Sequence, residues 1–143
     1  MFMNQWTYQG KPFQLPEGAD PKTIQGFVYI LTNRNNGKKY IGKKFFWSAK
    51  SKQVKGKKKK FKVESDWQTY CGSSELVKNE IIKDGDDTFL REILHLCVSK
   101  AECSYWETFE IFNRLALLKP AEFYNEWCSC KIRRAHLKNL IEK

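Results

Sequence analysis

Three short segments of the chain alternate hydrophobic and polar positions, or run apolar, as β-strands do. Residues 27–32 are rich in aromatic and β-branched side chains, and residues 38–42 follow them after Asn36 and Gly37. Two such segments around an Asn-Gly pair predict a β-hairpin. Residues 88–97 also alternate in part, so we expect a third strand that pairs with the hairpin.

The first predicted helix lies between the second and third strands. Ser74 is a residue type that caps helices, and residues 75–83 carry apolar side chains on one helical stripe. Gly85 follows, and a glycine at such a position ends a helix. We therefore expect a short helix that packs through its apolar stripe.

The second predicted helix begins at Ser99, which forms a capping box with Glu102. We expect this helix to run to about Leu118, because Pro120 cannot continue it. The end of the chain is rich in lysine, arginine and apolar residues at helical spacing. It predicts a basic amphipathic helix within residues 128–143.

These elements predict one α+β domain with a small three-stranded antiparallel sheet flanked by helices. A chain of 143 residues is long enough for one core. Residues 1–25 mix aromatics with prolines and glycines, which predicts an arm packed across the domain. The domain itself is expected over residues 26–127, with a lysine-rich insertion at about residues 43–64, and the basic helix over residues 128–143.

The composition indicates a folded protein with a polyanionic partner. Hydrophobic residues make up 41% of the chain and aromatic residues 15%, which is ample material for a core. Lysine and arginine number 26 against 16 acidic residues, a net charge of +10 that favours nucleic acid. No apolar run reaches the length of about 20 residues that spans a bilayer, and no signal-peptide pattern is visible. We expect no membrane partner.

The five cysteines form an odd set without disulfide spacing, which suits a reducing compartment. We therefore expect a cytoplasmic protein with free thiols. Cys128, Cys130 and His136 resemble part of a metal-ligand set, but a structural zinc site needs four ligands. No zinc site is predicted there.

The lysine-rich segment 43–64 has two interpretations. Contiguous like charge is typical of a solvated loop, yet aromatic residues are interleaved with the lysines and offer nucleic acid something to stack on. We favour a loop that follows the phosphates. The predicted DNA-binding residues in this segment and in the tail are Lys43, Lys57, Lys58, Lys59, Lys60, Arg133 and Arg134.

Several motifs, taken in chain order, resemble the GIY-YIG nuclease family. They are Gly26-Phe27-Val28-Tyr29, Tyr40-Ile41-Gly42, the strand residues Gly85, Phe89 and Glu92–Leu94, the helical run Glu107–Ile111, and Tyr124-Asn125. A lone Tyr-Ile-Gly is unspecific, but the ordered set covers most of the chain. The resemblance implies the GIY-YIG nuclease fold and hydrolysis of phosphodiester bonds with one Mg²⁺ or Mn²⁺ ion and no small-molecule cofactor.

The resemblance also implies a role for each matching residue. Glu107 would hold the divalent cation, and Tyr29 would act as general base or orient the attacking water. Tyr40 would hydrogen-bond the water or the phosphate. Gly42, which lacks a Cβ, would let the backbone approach the scissile phosphate. Asn125 would brace the site without touching the reacting atoms.

Ordinary structural roles compete with each assignment. Paired tyrosines on a hairpin are usually packing residues, and a helical glutamate usually makes an i,i+4 contact at the surface. Glu110 is the alternative carboxylate, although it falls on a variable position of the family. Asn125 could be an ordinary turn residue, and His95 a packing residue on its strand.

One feature departs from the family, which has an arginine after the second strand to hold the phosphate. This chain has no arginine between Arg34 and Arg91. Lys44 directly follows the second motif, and Lys50 matches the family's separation from the second tyrosine. Either would supply charge without the guanidinium fork, so a looser contact is expected.

The sequence therefore predicts a metal-dependent endonuclease that cuts DNA, of the small free-standing kind found in bacteriophages and acting in the host cytoplasm. Two alternatives stay open: a nucleic-acid-binding module that has lost cutting, which the missing arginine favours, and a ribonuclease. The oligomeric state, monomer or homodimer, is also open.

Overall fold

The computed structural model describes residues 4–142. In chain order the elements are β1 (Thr7–Tyr8), β2 (Lys11–Pro12), β3 (Gly26–Asn33), β4 (Lys39–Phe45), β5 (Trp47–Val54), β6 (Lys57–Glu64), α1 (Glu75–Asp84), β7 (Phe89–Cys97) and α2 (Lys100–Asn113). Short 3-10 helices follow at Ala116–Leu118 and Arg134–Leu137.

The main sheet has five strands in the order β2-β1-β7-β3-β4. Its centre is the predicted antiparallel trio, with β3 paired to β4 and to β7. The α+β class is confirmed, but the prediction of a three-stranded sheet is wrong. Strand β1 pairs in parallel with β7, and β2 pairs with β1, because the N-terminal arm covers the free edge of β7.

Strand β3 lies at the centre of the core, and seven of its eight residues are buried. On one face of the sheet, Val28 and Ile30 pack with the α2 residues Cys103 and Ile111. The other face holds an aromatic cluster made of Trp6, Phe27, Tyr29, Phe46 and Trp67. The arm thus contributes a core residue as well as two strands.

Both predicted helix starts are confirmed. Ser74 accepts the Val77 amide at 3.4 Å, and the Gly85 amide ends α1 on the Ile81 carbonyl at 2.7 Å. At the start of α2, the Ser99 hydroxyl accepts the Glu102 amide and donates to the Glu102 carboxylate, each at 3.1 Å.

Helix α2 ends at Asn113, earlier than the predicted Leu118. Leu115 adopts a left-handed conformation with φ 57°, which an α-helix cannot contain. The chain turns there, and residues 122–125 run back along the edge of β4. The predicted C-terminal helix is present within residues 128–142 only as the four-residue 3-10 helix Arg134–Leu137.

The lysine-rich segment is an antiparallel hairpin of β5 and β6, so the prediction of a loop is wrong. Its turn is Lys55-Gly56, and both residues have positive φ, as two-residue hairpin turns require. The run of lysines concealed the alternation of the two strands. Within residues 4–142, no helix is long and apolar enough to cross a membrane.

Candidate active site

A cleft of about 780 Å³ runs along the outer edge of β4. Its walls come from β3, β4, α2, the loop before α1 and the segment after Tyr124. The residues that line it include Tyr29, Tyr40, Gly42, Lys43, Ser73, Glu75, Glu107, Asn125, Glu126 and Trp127. Five parts of the chain therefore meet at one opening.

Tyr29 lies beneath this cleft and crosses β4 at Gly42. The two residues are cross-strand partners, and a Cβ at Gly42 would overlap the Tyr29 hydroxyl oxygen and its ring carbon Cζ. Gly42 was expected to give room to a phosphate. The group that occupies this room is the Tyr29 phenol, so the glycine lets the phenol reach past the strand.

Tyr40 is half-buried on the same face of the sheet. Its ring centroid lies 6.4 Å from that of Tyr29, and its hydroxyl lies 3.5 Å from the Ser73 hydroxyl. Gly72, with φ 89°, lies close to both tyrosines: a Cβ at this position would come within 3.4 Å of the Tyr29 hydroxyl oxygen and 3.5 Å of the Tyr40 ring. The left-handed conformation favours glycine at this position.

Burial raises the pKa of both phenols. For Tyr29 burial acts first, and the neighbouring Tyr70 and Tyr40 phenols raise the pKa further. For Tyr40 burial outweighs the lowering effect of the Ser73 hydrogen bond, and the Glu107 carboxylate adds to the rise. Both hydroxyls are therefore protonated at neutral pH and can donate hydrogen bonds into the cleft.

Glu107 faces the cleft from α2. Its carboxylate lies 3.6 Å from the Lys43 ammonium, which also donates to the Ser104 hydroxyl at 2.9 Å. Burial raises the pKa of Glu107, and the nearby Lys43 charge opposes the rise. Lys43 is thus held by α2 at the wall of the cleft, directly beside the carboxylate.

Glu110, the alternative carboxylate, is fully engaged elsewhere. One oxygen lies 2.8 Å from His95 Nε2, and the other accepts from Arg114 Nε at 2.7 Å. His95 also stacks on Trp106, with ring centroids 4.6 Å apart. Glu110, His95, Arg114 and Trp106 thus form one structural cluster between α2 and β7. Neither Glu110 nor His95 lines the cleft.

Asn125 completes the outer edge of β4. Its side-chain oxygen accepts the Ile41 amide at 3.0 Å, and its NH₂ group donates to the Ile41 carbonyl at 2.9 Å. Both backbone groups of Ile41 point away from β3, so the amide replaces a neighbouring strand. Asn125 therefore fixes the strand that carries Tyr40 and Gly42.

The remaining predicted residues lie outside the cleft lining. Lys44 pairs with Asp66 at 2.6 Å and lies over the Tyr70 ring at 4.2 Å. Lys50 is exposed on β5, and Lys57–Lys60 are exposed on β6. In the tail, Arg133 and Arg134 are exposed as well.

Two residues that bear on this site were not predicted. Arg91 is buried on β7 and donates to the carbonyls of Asn4, Gln68 and Tyr70 at 2.6–2.8 Å. Burial lowers the pKa of its guanidinium to about 10, which leaves it charged at neutral pH. It ties the arm to the loop that approaches the tyrosines. In the sequence, only its position within a predicted strand marks it.

Trp127 is the second such residue. Its side chain lines the cleft and is 75% exposed, which is unusual for an indole. An exposed aromatic ring at the mouth of a cleft offers a stacking surface. In the sequence it follows Asn125 by two residues, and no pattern distinguishes it from a packing residue.

The cleft suits one hard divalent cation. Among residues 4–142 no three histidine, cysteine or acidic residues are clustered as a metal-binding group. Three glutamates line the open cleft, and of Glu75, Glu107 and Glu126 only Glu107 is half-buried. Mg²⁺ is commonly held by one or two carboxylates while it keeps several waters. The donor set therefore fits such an ion, and Glu107 is the residue that would hold it.

Comparison with known proteins identifies the family. The family model described as "Putative endonuclease segE, GIY-YIG domain" matches residues 6–128, which cover every element of the main sheet and the whole cleft up to Cys128. No curated protein and no solved structure matches the chain. The matched segment contains both tyrosines, Glu107 and Asn125, and the chain belongs to the GIY-YIG nuclease family.

Proposed function

We propose that this protein is an endonuclease that hydrolyses phosphodiester bonds in DNA with one Mg²⁺ or Mn²⁺ ion. The observation that carries the proposal is the convergence of Tyr29, Tyr40 and Glu107 on one cleft. Hydrolysis of a phosphodiester requires an oriented water, a counter-charge for the phosphate and a proton for the leaving oxygen. These three side chains can serve the first two needs.

Glu107 is the proposed ligand of the cation. When bound, the cation supplies positive charge to the phosphate oxygens. Glu107 must be ionised to hold it, and the Lys43 ammonium at 3.6 Å favours that form.

Tyr29 and Tyr40 are proposed to orient the attacking water and the phosphate. Because burial raises the pKa of both, each hydroxyl enters the reaction as a hydrogen-bond donor. General-base action by Tyr29 requires a positive charge close enough to lower its pKa. The hydroxyl lies against Gly42, so a phosphate that reaches the strand also reaches the phenol.

Lys43 is the proposed replacement for the family's arginine. Of the three lysines that follow Gly42 and could serve, it alone lines the cleft. Lys44 is paired with Asp66, and Lys50 is exposed on the hairpin. If Glu107 held a cation, the Lys43 ammonium would be released from its ion pair and could approach a phosphate oxygen.

Nicking of supercoiled plasmid tests the proposal. The wild-type chain is incubated with Mg²⁺ or with Mn²⁺, and the open-circular product is followed over time. We expect nicking that a chelator abolishes and that falls roughly 10³-fold in Glu107→Gln, since a metal contributes several kcal/mol. Glu17→Gln, which neutralises an exposed carboxylate outside the cleft, is the matched control.

A non-catalytic nucleic-acid-binding module is the second candidate. The Lys43–Glu107 ion pair favours it, because the Lys43 ammonium already neutralises the carboxylate that a cation would bind. Plasmid binding without nicking in either metal, by wild type and Glu107→Gln alike, would contradict the endonuclease proposal and support the binding module.

A further inference from the structure

The β5–β6 hairpin stands apart from the main sheet. It forms a two-stranded sheet of its own, and within residues 4–142 it is bonded to no other strand. Between Ala49 and Lys62 every residue is exposed except Val54. The hairpin thus projects from the domain as a two-stranded ribbon.

The root of the ribbon, in contrast, is firmly fixed. The Ser65 amide and hydroxyl donate to the Phe46 and Phe45 carbonyls, each at 2.7 Å. Trp47 Nε1 donates to the Ile24 carbonyl at 2.8 Å. The Lys44–Asp66 ion pair joins the two ends from outside. The ribbon is therefore held in a fixed direction relative to the domain.

The root also lies beside the cleft. Lys43, in the cleft wall, precedes Trp47 by four residues, about 13 Å of extended strand. After β6, the chain passes through Ser65–Ser74, and Ser73 lines the cleft again. A partner that contacts the ribbon is thus positioned to enter the cleft.

The ribbon carries most of the charge of the chain. From Trp47 to Glu64 it has eight lysines and one glutamate, a net of +7 out of the chain's +10. The pairing register puts Lys50, Lys52, Lys57 and Lys59 on one face and Lys58, Lys60 and Lys62 on the other. Both faces are therefore cationic.

This arrangement costs the hairpin stability. Lys52 lies directly opposite Lys59, and like charges at paired positions repel. An isolated two-stranded hairpin is only marginally stable in water. A polyanion on both sides would relieve the repulsion, so the sequence of the ribbon is better matched to a bound state than to a free one.

The dimensions of the ribbon indicate which kind of nucleic acid it fits. Eight-residue strands extend about 26 Å. Sheets pack face to face about 10 Å apart, which is the space that a ribbon with side chains on both faces takes up. The major groove of B-form DNA is about 12 Å wide and admits a two-stranded ribbon. The major groove of A-form RNA is deep and too narrow for side chains to read.

We propose that the β5–β6 hairpin inserts into the major groove of B-form duplex DNA, with one lysine face toward each wall of phosphates. This inference rests on the proposed function and narrows its substrate to double-stranded DNA. A ribbon that lay flat on the duplex would need only one basic face, whereas a ribbon between two phosphate walls needs two.

Binding of two face variants tests the insertion. The variants are Lys50→Gln/Lys52→Gln/Lys59→Gln for one face and Lys58→Gln/Lys60→Gln/Lys62→Gln for the other. The control is Lys11→Gln/Lys22→Gln/Lys83→Gln, which removes three exposed lysines elsewhere. Fluorescence anisotropy in a chelator measures the affinity of the full chain for duplex DNA, duplex RNA and single-stranded DNA of one sequence at several salt concentrations.

We expect each face variant to lose about tenfold or more in duplex DNA affinity and to lower the salt slope by up to about 2.7, since each phosphate contact contributes about 0.9. The salt slope of the control variant should stay within about 1 of the wild-type slope. Duplex RNA should bind more weakly than duplex DNA and respond less to either face variant.

Three results would overturn the inference: a loss confined to one face, equal losses for duplex DNA and RNA, or a control that loses as much as the face variants. The proposed function fails separately. If the wild type never nicks plasmid but both faces contribute to duplex binding, the endonuclease proposal is wrong and the groove insertion stands.

Discussion

The phenol of Tyr29 lies against the Cα of Gly42, its cross-strand partner, where any larger residue would collide with it. The glycine is therefore a steric requirement of the tyrosine. In this chain, the placement of a tyrosine on one strand opposite a glycine on the next has a direct physical cause in this contact.

Gly42→Ala should disrupt the site. The new Cβ overlaps the Tyr29 hydroxyl and ring, so the phenol must move from its place beneath the cleft. Overpacking of this kind costs about 1–3 kcal/mol, and plasmid nicking should fall with it. Gly10→Ala is the control, because nothing lies near its Cβ and any cost there comes from its positive φ. Equal nicking by both variants would show that the contact is irrelevant to activity.

Glu107 should destabilise the fold at neutral pH. Burial raises its pKa above the usual 4.5, so the folded chain binds this proton more tightly than the unfolded chain. The unfolding free energy should therefore fall as pH rises from 4.5 through the folded pKa. Glu107→Gln should unfold at a higher temperature than wild type at pH 7, and the difference should vanish below pH 4.5.

Lys43→Gln should have the opposite effect to Glu107→Gln on this pH dependence of stability. Lys43 lowers the pKa of Glu107, so its removal should raise that pKa further and enlarge the loss of stability toward neutral pH. Thermal unfolding from pH 4 to 8, followed by circular dichroism, measures both variants. A Glu107→Gln variant that is less stable than wild type at pH 7 would contradict the prediction.

The elements that the sequence predicted are those set by neighbouring residues. The Asn36-Gly37 turn, the Ser74 cap and the Ser99–Glu102 pair act over a few positions, so the hairpin and both helix starts could be predicted. The pairing of Thr7 with Glu92 spans most of the chain and depends on the exposed edge of β7, which no local pattern reveals. That is why the sheet was expected to have three strands.

The same division applies to the candidate site. Both tyrosines, Glu107 and Asn125 were singled out by the order of motifs, and all four line one cleft. The engagement of Glu110 by His95 and Arg114 depends on the packing of α2 on β7, so only the structure separates the two glutamates. The sequence also could not show which of Lys43, Lys44 and Lys50 lines the cleft. Strand alternation decides which lysine faces α2.

Asn125→Ala should weaken the edge of β4. It leaves the Ile41 amide and carbonyl without partners, and a buried unpaired backbone group costs about 1–3 kcal/mol. Chemical denaturation should show this loss, and nicking should fall because β4 carries Tyr40 and Gly42. Asn79→Ala, at an exposed position of α1, is the control and should leave both quantities unchanged.

Arg91→Lys should loosen the loop between β6 and α1. A lysine keeps the charge but cannot donate to three carbonyls from one planar group. We expect a loss of about 3 kcal/mol in unfolding free energy, since hydrogen bonds from charged groups contribute about 1.5–3 kcal/mol each. Hydrogen exchange should increase at residues 65–74. If exposed Arg34→Lys has the same effects, the three contacts are not what holds the loop.

Trp127 should report directly on DNA in the cleft. Its indole is 75% exposed at the mouth, whereas Trp6 and Trp67 are buried in the core and Trp47 and Trp106 are partly buried. Addition of duplex DNA in a chelator should therefore change the fluorescence of wild type, and Trp127→Ala should lose most of that change. Stacking contributes about 1–3 kcal/mol per base, so affinity should fall about tenfold. Leu118→Ala removes another exposed apolar side chain, away from the cleft lining, and should bind DNA like wild type. An unchanged fluorescence response in Trp127→Ala would exclude contact between this indole and DNA.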